Sequence, residues 1–205
     1  MNDQLALIIT AIIGGLVAVI AVFFAGLKDY VSKWLALRIK RLEREEYAGG
    51  LKLYAEYDRA IEGLRKLSYV DRAIVFNGQN SGGKPTPGQK YTIQAQLGFS
   101  KTHDDIPDSY KFIYHVDSYH CVMLQRMLEH GHVANSTKDM PDGALLKNLY
   151  LEEGVVHTVI YYLALMDNTL TFISIGSYKE PFTAPQLAKI ELFVARLRGL
   201  MAQAQ

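Results

Sequence analysis

VVHTVIYYLALM (Val155–Met166), then Asp167-Asn168, then TLTFISIGS (Thr169–Ser177): two runs rich in β-branched and aromatic residues meet across a two-residue polar turn. This pattern predicts an antiparallel hairpin. The first run is apolar on both faces apart from His157 and Thr158, so it is expected to be central in its sheet and covered on both sides.

Outward toward the C-terminus, Phe182-Thr183-Ala184-Pro185-Gln186-Leu187 opens a helix. Thr183 is a good N-cap, Gln186 completes a capping box, and Phe182 with Leu187 forms the hydrophobic staple. The helix is expected to run to about Ala202, burying Leu187, Ile190, Phe193, Val194 and Leu197. Outward toward the N-terminus, Ala144 to Glu153 reads as a short helix ended by Gly154, after a Pro141-Asp142-Gly143 turn. His132 to Met140 holds a short strand. Ser118 to Glu129 reads as a helix with Met123, Leu124 and Leu128 inward and Gly131 as its stop. Lys111 to Val116 fits either a short strand or a helical turn, and Asp104-Asp105-Ile106-Pro107 a turn. Two further strands are expected at Arg72–Gln79 and Tyr91–Phe99, joined by the loop Asn80–Gly88. Gly82-Gly83-Lys84 lacks the spacing of a phosphate-binding loop. Before the strands, Leu51 to Leu67 reads as an amphipathic helix with Tyr54, Tyr57, Ile61 and Leu64 on one face.

Leu5 to Gly26 runs 22 residues without a charged side chain. At about 1.5 Å per residue it spans roughly 30 Å, the thickness of a hydrocarbon core. It is read as an uncleaved transmembrane anchor. No Lys or Arg precedes it, whereas Lys28, Lys33, Arg38, Lys40, Arg41 and Arg44 follow. Positive flanks stay on the cytoplasmic side, so the expectation is a single-pass inner-membrane protein with its N-terminus outside and its C-terminal domain in the cytoplasm. Ala11 and Gly15, with Gly14 beside them, form a small-residue face that suits close helix pairing. Leu27 to Glu46 continues as helix, with Leu35, Ile39 and Leu42 on one face. Three readings stay open for it: a helix on an anionic membrane surface, a short coiled coil with its copy, or a solvated connector. Ala48-Gly49-Gly50 is expected to break the helix and act as a hinge between 28–50 and a domain from 51 to 205.

Composition sets limits. With 49% apolar and 21% charged residues the chain can bury a core, and a net charge of +1 gives no global attraction for nucleic acid. The single cysteine, Cys121, cannot form an internal disulfide or a cysteine-rich metal site.

The order after Gly50 (helix, strands, a helical insertion, strands, helix) resembles the GAF family, the small sensory α/β fold related to PAS. Asp142-Gly143 through Leu200 carries most of the likeness, with Leu151-Glu152-Glu153-Gly154-Val155, the hairpin Tyr162–Leu165 to Ile173–Gly176, and the helix after Pro181-Phe182-Thr183. The resemblance implies an α+β fold with a central antiparallel sheet and flanking helices, here preceded by a transmembrane and a juxtamembrane helix. It implies that the first and last domain helices pack on one face, often in a dimer, and that a ligand pocket lies on the other, roofed by the insertion.

Tyr114, Tyr119, His120, Cys121 and Tyr161 are nominated for that pocket. Tyrosine combines apolar area with a polar tip, and the chain has thirteen. Asp105-Ile106-Pro107 ahead of His120-Cys121 departs from the bilin-binding pattern in both order and spacing, and Cys121 reads as a small buried hydrophobe. The cyclic-nucleotide motif of the family is absent, and one cysteine does not support its methionine sulfoxide reductase branch. His130-Gly131-His132 has no further metal ligand near it in sequence. Asp104-Asp105 and Glu152-Glu153 read as solvated carboxylates, and no catalytic triad order stands out.

The expectation is a membrane-tethered, non-catalytic sensory or binding module. Nothing after Gln205 supplies an output unit, so it is expected to act through a protein partner or as a homodimer, with no nucleic acid, an unknown cofactor and a small-molecule ligand left open. The alternative is a structural membrane scaffold or accessory subunit, of an envelope complex or phage-encoded, without a pocket. A filled space beneath residues 100–132 argues for the second, and a polar cavity of about 300 Å³ or more for the first.

Overall fold

A computed structural model describes residues 2–79, 85–86, 91–102, 106–111 and 116–203, with side chains from residue 30 onward apart from those of 108 and 111. The chain divides into two units, Met1–Leu51 and Lys52–Gln205.

Helix α1 runs Asn2–Arg65. The expected break at Gly49-Gly50 is corrected: the helix passes through both residues, and a Cβ at either position would meet nothing within 4 Å. Glycine weakens a helix by about 1 kcal/mol relative to alanine without being sterically barred from it. Between Tyr47-Ala48 and Leu51-Lys52 that penalty does not end the helix. No helix among the described residues is long and apolar enough to cross a membrane. The apolar run Leu5–Gly26 lies outside the residues whose side chains are described.

The second unit is built on a five-stranded antiparallel sheet of β1 (Arg72–Gln79), β2 (Thr92–Ser100), β3 (His132–Ser136), β4 (His157–Met166) and β5 (Thr169–Ser177), in the order β2-β1-β5-β4-β3. The expected hairpin is present. Asp167 and Asn168 both take positive φ, 45° and 63°, which residues with short polar side chains tolerate in a two-residue turn. β4 is paired on both edges as its apolar faces require, while β5 holds the middle of the sheet.

Strand alternation sends side chains to two faces. On one, Ala73, Val75, Val159, Tyr161, Ile173 and Ile175 pack under α1 and the last helix, α5 (Ala184–Gln203). There α1 contributes Tyr57, Ala60, Ile61 and Leu64, and α5 contributes Ile190, Val194 and Leu197. Tyr54, expected on the buried face, is exposed, and Ala60 is buried with Tyr57, Ile61 and Leu64. Leu187 and Phe193 pack only partly. The start of α5 is fixed as the capping box requires, Thr183 N donating to Gln186 Oε1 at 2.8 Å.

On the other face, Ile74, Phe76, Ile93, Ile160, Leu170 and Phe172 are covered by three short helices: α2 (Asp108–Lys111), α3 (Ser118–His130) and α4 (Leu145–Glu152). Asp117 caps α3, accepting from His120 N at 2.8 Å, and its second oxygen takes Leu145 N at 2.8 Å, so one carboxylate fixes the starts of α3 and α4. Gly131 closes α3 at φ 78°. Met127 is buried where Leu128 was expected, and Leu128 is exposed.

Gly98 lies against β1, where a Cβ would sit 2.4 Å from the Ala73 carbonyl oxygen and 2.7 Å from Ile74 Cα. Gly98→Ala is expected to lose roughly 1–3 kcal/mol in chemical denaturation. Gly50→Ala is expected to raise helical ellipticity and to stabilise its helix by up to about 1 kcal/mol. A neutral Gly98→Ala and a helix-weakening Gly50→Ala would contradict this packing.

Candidate functional site

Arg72 is the first residue of β1, and its side chain extends under α2 and α4 with 0% exposure. The sheet makes room for it. Its register partner on β5 is Gly176, where an added Cβ would come 3.4 Å from Arg72 Nε. Two residues along β5, on the same face, Ser174 Oγ accepts from Arg72 Nη2 at 3.0 Å. Thr158 Oγ1 donates to the Ile175 carbonyl at 3.1 Å and lies 3.2 Å from Ser174 Oγ. With the Thr158 proton so directed, Ser174 donates to Thr158 and accepts from Arg72.

Two tyrosine rings enclose the guanidinium, Arg72 Cζ lying 4.8 Å from the ring centres of both Tyr110 on α2 and Tyr150 on α4. Arg72 Nη1 also donates to the Tyr110 hydroxyl. The counter-charge is Glu153, at the C-cap of α4, with Oε2 3.7 Å from Nη1. Ser109 Oγ reaches the other Glu153 oxygen at 3.4 Å. Burial opposes the arginine's charge, but Tyr110, Tyr150 and Glu153 outweigh it, and the pKa of Arg72 is raised. The Tyr110 hydroxyl is raised as well, chiefly by burial.

This cluster occupies the space beneath the insertion. Among the described residues, the cavity bounded by Arg72, Tyr110, His120, Tyr150, Phe172 and Ser174 has a volume of about 10 Å³. That is room for roughly one water molecule.

The nominated residues do not converge there. His120 is buried and borders the cavity. Tyr119 packs partly against the same core. Cys121 is exposed, a correction to the buried hydrophobe expected, because α3 turns it away from the Met123–Met127 stripe. Partial desolvation of the sulfur and then Asp117 raise its thiol pKa, the opposite of an activated nucleophile. Tyr161 projects from the opposite face of the sheet, among the residues under α1 and α5, with its ring 5.6 Å from that of His132. Tyr114 and Asp104-Asp105 lie outside the described residues. Glu153, expected to be solvated, is buried as the partner of Arg72, because Gly154 (φ 72°) turns the chain back to the sheet immediately after it. Among the described residues no three His, Cys, Asp or Glu side chains group closely enough to hold a metal ion.

The fold of this chain has relatives among solved structures. It is similar to the GAF domain region of a candidate membrane protein from Geobacter sulfurreducens, with a TM-score of 0.53 at 16% identity, over 77% of this chain and 98% of that one. It is also similar to the phycocyanobilin-bound GAF domain of a cyanobacterial phytochrome (0.51, 12%, over 78% and 92%). A third is a GAF domain/HD domain protein from Geobacter sulfurreducens (0.50, 13%, over 75% and 92%). The fold is that of a GAF domain. No family model and no curated protein matches the sequence. Within this GAF fold, the residues that define the site, Arg72, Tyr110, Tyr150, Glu153 and Ser174, escaped the sequence reading. The signals for them were a charged residue directly ahead of the apolar run Ala73–Phe76 and a serine inside the apolar run Phe172–Ile175.

His120 gives the site a pH dependence. Burial lowers its pKa from 6.5 to about 4, against a smaller opposing effect of Asp117. The folded state therefore holds it neutral, while the unfolded chain takes up a proton below 6.5. The stability this contributes is complete above pH 6.5 and is lost as pH falls toward 4, by about 2 kcal/mol at pH 5. Denaturation midpoints from pH 7 to 4.5 should fall accordingly, and His120→Leu should flatten that part of the profile. An unchanged profile in His120→Leu would remove His120 as the cause.

Proposed function

We propose that this chain is a membrane-tethered, non-catalytic binding module of GAF fold that acts through a second copy of itself or a protein partner, with no small molecule held beneath its insertion. The observation that carries this reading is how little space the described residues leave on the pocket face. A drug-sized ligand needs roughly 300 Å³ or more, and the Arg72 cluster leaves about 10 Å³. The similar GAF domain of the cyanobacterial phytochrome is phycocyanobilin-bound. Here Arg72, Tyr110 and Tyr150 take up the interior with their own side chains.

The non-catalytic part is supported by the state of the two reactive side chains in this region. His120 is enclosed and neutral, and the Cys121 thiol is held above its ordinary pKa. The tethered part is supported by the uncharged run Leu5–Gly26 and by the six basic residues from Lys28 to Arg44 that follow it. In this reading the domain lies on the cytoplasmic side.

Sensing of a small ligand is the second reading. Arg72 Nε and His120 Nδ1 are buried without a hydrogen-bond partner, and a small polar molecule would satisfy such atoms.

Native mass spectrometry of the full chain released from mild detergent separates the two. The expected result is a protein mass without a stoichiometric small-molecule adduct, and a reproducible adduct lost in Arg72→Met would establish the ligand reading. Removing residues 1–26 should leave a folded domain in the soluble fraction, while the full chain resists carbonate extraction from membranes. A full chain released by carbonate would overturn the tether.

A further inference from the structure

In the unit Met1–Leu51, α1 carries Val31, Leu35, Ile39 and Leu42 as an exposed aliphatic strip, between 44% and 56% accessible. Their spacing of four, four and three places them on one side of the helix. We propose that Leu35, Ile39 and Leu42 form the seam of a parallel two-stranded coiled coil with the same segment of a second copy, with Val31 flanking it. This inference rests on the self-association half of the functional reading and names the surface that performs it.

The seam has the chemistry of a two-stranded pair. Written as heptads, Leu35 and Leu42 fall at d and Ile39 at a. A β-branched residue at a with leucine at d favours two strands. In parallel register the positions flanking the seam meet as g with the e of the next heptad on the other helix. Val31 then faces Ala36 of the second copy, apolar against apolar, and Arg38 faces Glu43 of the second copy, opposite in charge. Glu46 is the next a residue. Its approach to its own counterpart ends the seam there, which confines pairing to the segment nearest Leu5–Gly26. Outside the seam, Arg41 Nε pairs with Glu45 Oε1 at 2.9 Å within one chain, so the helix is supported by contacts that pairing leaves in place.

The same strip is poorly built for an anionic lipid surface. Arg38 and the carboxylates of Glu43 and Glu46 border it, whereas Lys33, Lys40, Arg41 and Arg44 project from the other side of the helix with Tyr30 and Trp34. A strip lying on lipid would bring its carboxylates to the surface and hold these basic residues away from it. Two heptads pair weakly as free peptides, so confinement of both copies to one membrane supplies the local concentration.

Cysteine cross-linking of the full chain in lipid nanodiscs tests the seam. Cys121 is the only cysteine and is exposed, so Cys121→Ser provides the background. Single substitutions Leu35→Cys and Leu42→Cys are expected to give at least tenfold more disulfide-linked dimer on mild oxidation than Leu37→Cys or Lys40→Cys. In the same nanodiscs Arg38→Glu is expected to weaken dimerisation about tenfold, and Arg38→Glu with Glu43→Arg to restore it. A dimer by mass photometry that shows no preference for positions 35 and 42 overturns the seam and leaves self-association standing. A monomer with no cross-link at any position overturns both. A monomer that binds anionic vesicles through Arg41 and Arg44 also overturns the seam, in favour of a lipid surface.

Discussion

The buried charge of Arg72 is the constraint on which the pocket side of this domain depends. A guanidinium out of water is strongly destabilising unless hydrogen bonds and a counter-charge surround it. Each neighbour here answers that need. Gly176 leaves the room, Ser174 and Tyr110 accept from the guanidinium, Tyr150 offers a ring face, and Glu153 brings the negative charge. The turn at Gly154, the end of α4 and the seating of α2 over β2 are placed to complete this set. The result is a specific interior in which a shift of any one partner strands a charge.

The sheet separates this polar plug from an apolar layer under α1 and α5. That side packs Tyr57, Ile61 and Leu64 against Ile190, Val194 and Leu197, tied at the surface by Arg196 Nη2 to Glu56 Oε2 at 2.6 Å. Each fully buried side chain of this kind contributes about 1.5–3 kcal/mol. The two sides therefore do different work. Apolar burial holds helices to both faces of the sheet, and on the pocket side the Arg72 network also ties α2 and α4 to β1 and β5. Among the described residues this network leaves about 10 Å³ on the pocket face, and the proposed activity is accordingly one of contact between proteins.

The sequence made the sheet legible because period-two alternation and turn chemistry are local. β1 and the β4–β5 hairpin were readable from β-branched runs and from Asp167-Asn168, and the start of α5 from its capping box. Gly49-Gly50 misled only as to where the helix ends, because a helix tolerates glycine where its neighbours favour helix. Cys121 and Leu128 misled because a single turn's phase decides which side of a short helix is buried. The site stayed hidden for a different reason. Arg72 and Ser174 stand 102 positions apart and Arg72 and Tyr110 stand 38 apart, and only strand pairing and the α2 crossover bring them together. Nothing in local pattern distinguishes a buried Glu153 from its solvated neighbour Glu152.

A double-mutant cycle on Arg72 and Glu153, followed by urea denaturation, tests the central claim most directly. Removal of one partner alone, Arg72→Met or Glu153→Met, is predicted to cost about 3–5 kcal/mol, because the other charge stays buried without its counter-ion. The pair changed together is predicted to lose at least about 2 kcal/mol less than the sum of the two. Single losses below about 1 kcal/mol, or losses that simply add, would contradict a pocket face held shut by this ion pair.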